Sequence, residues 1–180
     1  MNIVKMILPV FILLLLSFTA EGNFKRFKYN QTPGYFPDTN SIKFIPIEEA
    51  VDYTAQLLEG DITKAERKFK KDIPIWKVEL ITKERGSFKV EISAIDKSLI
   101  RIDADEGPYD YDIKPDLNSI SFSDAKKTAE EWTGLKTLKW NFYKNKNNWE
   151  YNFWLFVKSG KAQVRVNAET GEIVTVKKKK

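Results

Sequence analysis

The chain contains no histidine and no cysteine. Their joint absence removes the commonest general base, the commonest transition-metal ligands, thiol nucleophiles, disulfides and iron–sulfur ligation together. A large excess of one charge is also missing: 30 basic residues stand against 25 acidic ones, a net +5, too little to point to nucleic acid. Serines fall in turns, caps or strands without a nucleophile motif, and no paired carboxylates can be singled out. These absences predict a binding protein rather than an enzyme, with no cofactor and no metal.

A membrane-spanning apolar run is lacking too. The apolar stretch from Met6 to Leu16 follows Lys5, contains Pro9 and gives way to Ser17, Thr19, Ala20 and Gly22. A spanning helix needs about 20 apolar residues. A short run behind a basic residue and ahead of small residues is the pattern of a secretory signal peptide. Residues 1–22 are therefore expected to be a signal, and the remainder to be secreted or periplasmic.

What is present is enough to fold: 42% of residues are apolar and 13% aromatic. Two stretches answer each other at an offset of 74 to 75 residues. "IPIEEAVDYTAQLLEG" (45–60) aligns with "ISFSDAKKTAEEWTG" (120–134), and "GSFKVEISAIDKSLIRI" (86–102) with "GKAQVRVNAETGEIVTV" (160–176). Ile47, Ala50, Val51, Thr54 and Leu58 form one helical stripe, with Pro46 at its start and Gly60 placed for a left-handed end. Phe122, Ala125, Ala129 and Trp132 form the second stripe, with Ser121 as N-cap, Asp124 at the reciprocal position and Gly134 closing.

Period-two alternation fills the rest. The second copy offers four strands, carried by Leu138, Trp140 and Phe142; by Trp149, Tyr151, Phe153, Leu155 and Val157; by Ala162, Val164 and Val166; and by Val174 and Val176. The first copy repeats this with Val78 and Leu80; Phe88, Val90 and Ile92; Ile100 and Ile102. Propensity alone makes 61–72 a helix, but its counterpart 135–146 alternates, so the repeat predicts a strand. Short polar connections imply antiparallel hairpins. The fold class expected is α+β, two tandem units, each one helix packed on an antiparallel sheet of about four strands.

"EEA" (48–50) with Gly60, then "SDA" (123–125), Gly134, "WEYNFWL" (149–155) and "NAETGEIV" (167–174), taken in order, resemble the PepSY domain family, with the second copy the better match. The resemblance implies a helix on an antiparallel sheet, no catalytic residues, and a role in inhibiting or regulating peptidases. Lys97 stands where the second copy has Gly171, which predicts a different closing turn in the first. The organisation expected is a signal (1–22), an arm (23–44), a first repeat (45–104), an acidic linker (105–119), a second repeat (120–177) and a basic tail (178–180).

The acidic stretch "DADEGPYDYD" (103–112) places Asp103, Asp105 and Gly107 at odd spacing, but the twelfth position is Lys114 where a calcium loop needs a bidentate Glu. It reads as a solvated connector. Trp140, Phe142, Tyr151 and Phe153 read as core. On the opposite face alternation places Tyr143, Trp154 and Phe156, which either pack on the chain itself or meet a protein partner, while the first copy offers Lys77, Glu79, Lys89, Glu91 and Arg101 there. Lys177, Lys178, Lys179 and Lys180 read as a frayed, solubilising end, the alternative being weak contact with an anionic membrane surface or envelope polymer.

Overall fold

In the computed structural model, residues 43–157 and 160–179 are described. The signal, the arm before Lys43 and Lys180 lie outside them. The chain forms helix α1 (Ile47–Leu57), strands β1 (Asp61–Lys70), β2 (Ile73–Ile81), β3 (Ser87–Ser93) and β4 (Leu99–Glu106), helix α2 (Phe122–Thr133), and strands β5 (Thr137–Asn145), β6 (Asn148–Val157), β7 (Gly160–Asn167) and β8 (Ile173–Lys179). The α+β class is as expected, and 61–70 is a strand despite its helical composition.

The sheets of the two halves are not separate. All eight strands form one antiparallel sheet in sequence order. The seam is β4 against β5, with Ile102 opposite Phe142 and Ala104 opposite Trp140. Those four side chains are buried, so each half completes the other's core across the seam. Burying an aromatic or aliphatic side chain of this size contributes roughly 1.5–3 kcal/mol, which favours the joined sheet over two exposed edges.

One face of the sheet is covered. Helix α1 packs on β1 and β2, and α2 on β6 and β7. Helix α2 starts at Ser121, whose Oγ accepts the Asp124 N–H at 3.2 Å, and ends at Gly134 with φ 66°. Its stripe departs from expectation at the end: Phe122, Ala125 and Ala129 are fully buried, but Trp132 is 59% exposed. Leu135, just past the left-handed turn, packs on the core instead. Gly60 likewise has another reason than the expected one. It lies outside the left-handed region, and a Cβ there would stand 2.6 Å from the Ile81 carbonyl oxygen, so close backbone approach demands glycine.

The middle of the covered face is filled by the segment read as a solvated linker. Its first residues, Asp105 and Glu106, end β4. Beyond them Tyr109 and Ile113 are buried. The Tyr111 ring stacks on Phe122 at 5.0 Å and meets Phe88 edge-on at 4.9 Å. Its Oη accepts the Trp140 indole N–H at 2.7 Å, and Tyr109 O–H donates to the Leu138 carbonyl at 2.5 Å. The acidic residues disguise a strap whose alternate tyrosines tie β3, β5 and α2 together.

Each half also repeats the other's backbone bonding. Ile45 N–H donates to Ala94 O at 2.9 Å and Ile120 N–H to Ala168 O at 2.6 Å; Ala94 N–H reaches Pro74 O and Ala168 N–H reaches Trp149 O. A bulge interrupts β1–β2 between Ile62 and Lys64 and β5–β6 between Thr137 and Lys139. Others interrupt β3–β4 between Glu91 and Ile92 and β7–β8 between Arg165 and Val166. The bulges explain two misplaced residues: Leu138 and Val174, expected inside, are 39% and 46% exposed because the extra residue flips outward. The closing turn of the first half does not differ from that of the second, since Lys97 takes φ 63° where Gly171 takes 76°.

Candidate interaction face

The other face of the sheet is bare among the described residues, and the pleat fixes which side chains it carries. Across β1–β4 these are mostly charged residues of alternating sign, with Ile73, Ile75 and Ile81 of β2 among them. Lys64 and Lys68 meet Glu66 at 2.9 and 2.7 Å, Lys70 meets Glu91, Lys77 meets Glu79 at 2.7 Å, Lys89 meets Asp105 at 2.7 Å, and Arg101 reaches Asp103 through Nη2 at 2.6 Å. Burial works against ionisation of Glu66, but the hydrogen bonds from Lys68 and Lys64 hold its pKa below the usual carboxylate range. The Lys89 hydrogen bond lowers that of Asp105 in the same way. This half is electrically self-satisfied.

Across β5–β8 the composition changes. The register sets Lys139, Trp154, Gln163 and Lys177 in one row, with Asn141, Asn152, Arg165 and Thr175 in the next. Lys139 Nζ lies 4.7 Å from the Trp154 ring centre, and the Arg101 guanidinium 5.6 Å from that of Tyr143. Phe156 is 60% exposed, opposite Lys161. Glu150 is the one carboxylate of this half's outer face among the described residues. It is buried, accepting Arg165 Nη1 at 3.1 Å and Asn145 Nδ2 at 3.0 Å. Tyr143, Gln163, Arg165, Thr175 and Lys177 line a shallow pocket of about 190 Å³.

Of the residues singled out in the sequence, Tyr143, Trp154 and Phe156 share this face, and Lys177 joins them from β8. Lys177 to Lys179 are not a frayed tail: they extend β8, opposite Gln163, Ala162 and Lys161. Sequence reasoning missed Lys139, Gln163 and Arg165, although alternation along β5 and β7 marks all three as outward. A larger cleft of about 540 Å³ lies along α2, lined by Lys126, Lys127, Glu130, Glu131 and Lys136 among others. Its opposite charges pair, as Lys136 with Glu130 at 2.9 Å, and it gathers no aromatic ring. No group of residues able to hold a metal ion occurs among the described residues, and no described helix is long and apolar enough to cross a membrane.

No curated protein sequence matches the chain. Among solved structures, a protein of Clostridium difficile 630 classed as a lipoprotein is 16% identical, over 77% of this chain and 97% of its own, with a TM-score of 0.37. The YpmB protein from Bacillus subtilis is 19% identical, over 72% and 94%, with a TM-score of 0.34. The Bacillus megaterium YpeB C-terminal domain is 12% identical, over 77% and 99%, with a TM-score of 0.32. The model of the PepSY family, described as the peptidase propeptide and YPEB domain, matches residues 44–103, which lie in the first half although the sequence motifs made the second copy the better match. Those residues, which hold α1 and the β1–β4 meander almost to its end, are the part of this chain that matches the PepSY domain.

Proposed function

We propose that this chain is a non-catalytic, extracytoplasmic regulator of a peptidase, built from two PepSY-like units that share one sheet. The coincident bonds, bulges and turns of the two halves support the duplication. The signal-like N-terminus supports export, and the family's description supports a peptidase as the partner class. The lack of histidine and cysteine, which removes the commonest general base and the thiol nucleophile, supports a binding role over a catalytic one.

The observation that carries the reading is the asymmetry of the sheet. Both helices and the tyrosine strap crowd one face, which leaves the other free among the described residues, with Phe156 its most exposed aromatic ring. A large apolar side chain kept in water beside partly exposed Trp154 and Tyr143 is what a contact surface needs at its centre. The test is direct: purified chain is added to peptidases secreted by the same cells, and substrate turnover is followed. Slowed turnover of at least one peptidase, relieved by Phe156→Glu in a chain that still melts cooperatively, is the expected result. Unchanged turnover of all of them defeats the proposal.

A further inference from the structure

The two halves of the bare face differ in how their charges are met, and that difference names the chemistry of the partner. In β1–β4 every outward lysine and arginine just described has a carboxylate within ion-pair distance. In β5–β8 the supply of carboxylates runs out. Glu150 is consumed by Arg165, and Lys139 shares Asp105 with Lys89, at 3.8 Å against 2.7 Å. Lys161 and Lys177 have no ion-pair partner among the described residues, and both are exposed. The surplus is local, since these cations stand beside Trp154 and Phe156.

We infer that the face formed by Lys139, Trp154, Phe156, Lys161, Gln163 and Lys177 docks an extended polypeptide segment that carries acidic residues on either side of an apolar one. The inference rests on the regulator reading above and specifies which part of a partner it grips. Spacing supports a peptide: the row from Lys139 to Lys177 crosses three interstrand gaps, roughly 14 Å at about 4.8 Å each, which an extended segment covers in about four residues. Carboxylates at both ends of such a segment meet the two lysines, and an apolar side chain between them meets Trp154. A bilayer fits worse. Gln163 lies in the midst of the patch with its Nε2 donating to the buried Asn152 Oδ1 at 2.9 Å, and sinking the rest of its amide into lipid carries a desolvation cost that peptide groups offset by hydrogen bonding.

The experiment uses the intact chain and three probes: a fluorescein-labelled peptide alternating glutamate with phenylalanine, the same peptide with lysine for glutamate, and phosphatidylglycerol vesicles. The acidic peptide is expected to bind, with affinity falling as salt rises, while the basic peptide does not. Lys139→Glu combined with Lys177→Glu is expected to weaken binding by about tenfold or more, whereas Lys68→Gln on the paired half changes it less than about twofold. A cooperative melt shows that each variant is folded. Binding of vesicles in place of the acidic peptide, equal binding of both peptides, or no binding overturns the inference. The two proposals fail separately. A double variant that still slows the peptidase removes the acidic docking segment and leaves the regulator, while acidic-peptide binding with no peptidase affected does the reverse.

Discussion

Trp76 and Tyr151, 75 residues apart, perform the same task with different chemistry. The Trp76 indole N–H donates to the Ile45 carbonyl at 3.1 Å, and the Tyr151 hydroxyl donates to the Ile120 carbonyl at 2.9 Å. Each bond pins the entry of a helix to the second strand of its meander. Tyr151→Phe is expected to cost about 1–2 kcal/mol, because a part-buried carbonyl loses its donor, and Trp76→Phe to cost more, because it also leaves a void beneath the helix. Denaturant melts of the two variants measure this, and a loss in both means that the two halves are held alike.

Lys97 and Gly171 hold the same left-handed turn, the N–H of each donating to the carbonyl four residues back, at 3.2 and 2.9 Å. A lysine there is strained by roughly 1–2 kcal/mol, which glycine avoids. Lys97→Gly is expected to raise the melting temperature and Gly171→Ala to lower it, each by a few degrees for about 1 kcal/mol. The exposed contact of Lys97 with Glu49 at 3.7 Å is too weak to reverse the sign.

The tyrosine strap makes the fold sensitive to alkali. Burial pushes the Tyr111 and Tyr151 hydroxyls well above the ordinary phenol range and that of Tyr109 up to about 12. A phenol whose folded pKa is raised binds its proton more tightly than in the unfolded chain. Its contribution is intact below pH about 10 and is lost as pH climbs from there toward the folded value. Each such tyrosine removes up to about 1.4 kcal/mol per pH unit in that window. Urea midpoints at pH 8 and pH 11 are expected to differ sharply in the native chain. Tyr109→Phe is expected to narrow the gap.

The free edges of the sheet are β1 and β8 among the described residues. Lysines at the end of β8 occupy an edge that otherwise invites pairing with another chain. Replacing Lys178 with Ile and Lys179 with Thr is expected to produce concentration-dependent oligomers by light scattering while the monomer melts normally.

Much of this architecture was legible because alternation and helical stripes are local signals, and the repeat disclosed β1 where propensity opposed it. Three features were not. Pairing of β4 with β5 is a long-range choice that no hairpin turn announces. The strap hid because Tyr109, Tyr111 and Ile113 are interleaved with aspartates that face water, so composition read as a connector. The bulges that turn Leu138 and Val174 outward leave no mark in a period-two pattern. The outward positions of Tyr143, Trp154 and Phe156 followed from alternation, but the uneven charge between halves emerged only when the register showed which lysine faces which carboxylate.

Hydroxyl-radical footprinting of the chain, alone and with a peptidase that it slows, tests the central claim most directly. Labelling of Phe156 and Trp154 is expected to fall on complex formation while Trp132 on α2 stays as reactive as before. Protection of Trp132 with Phe156 unchanged would contradict it, placing the partner on the helical side.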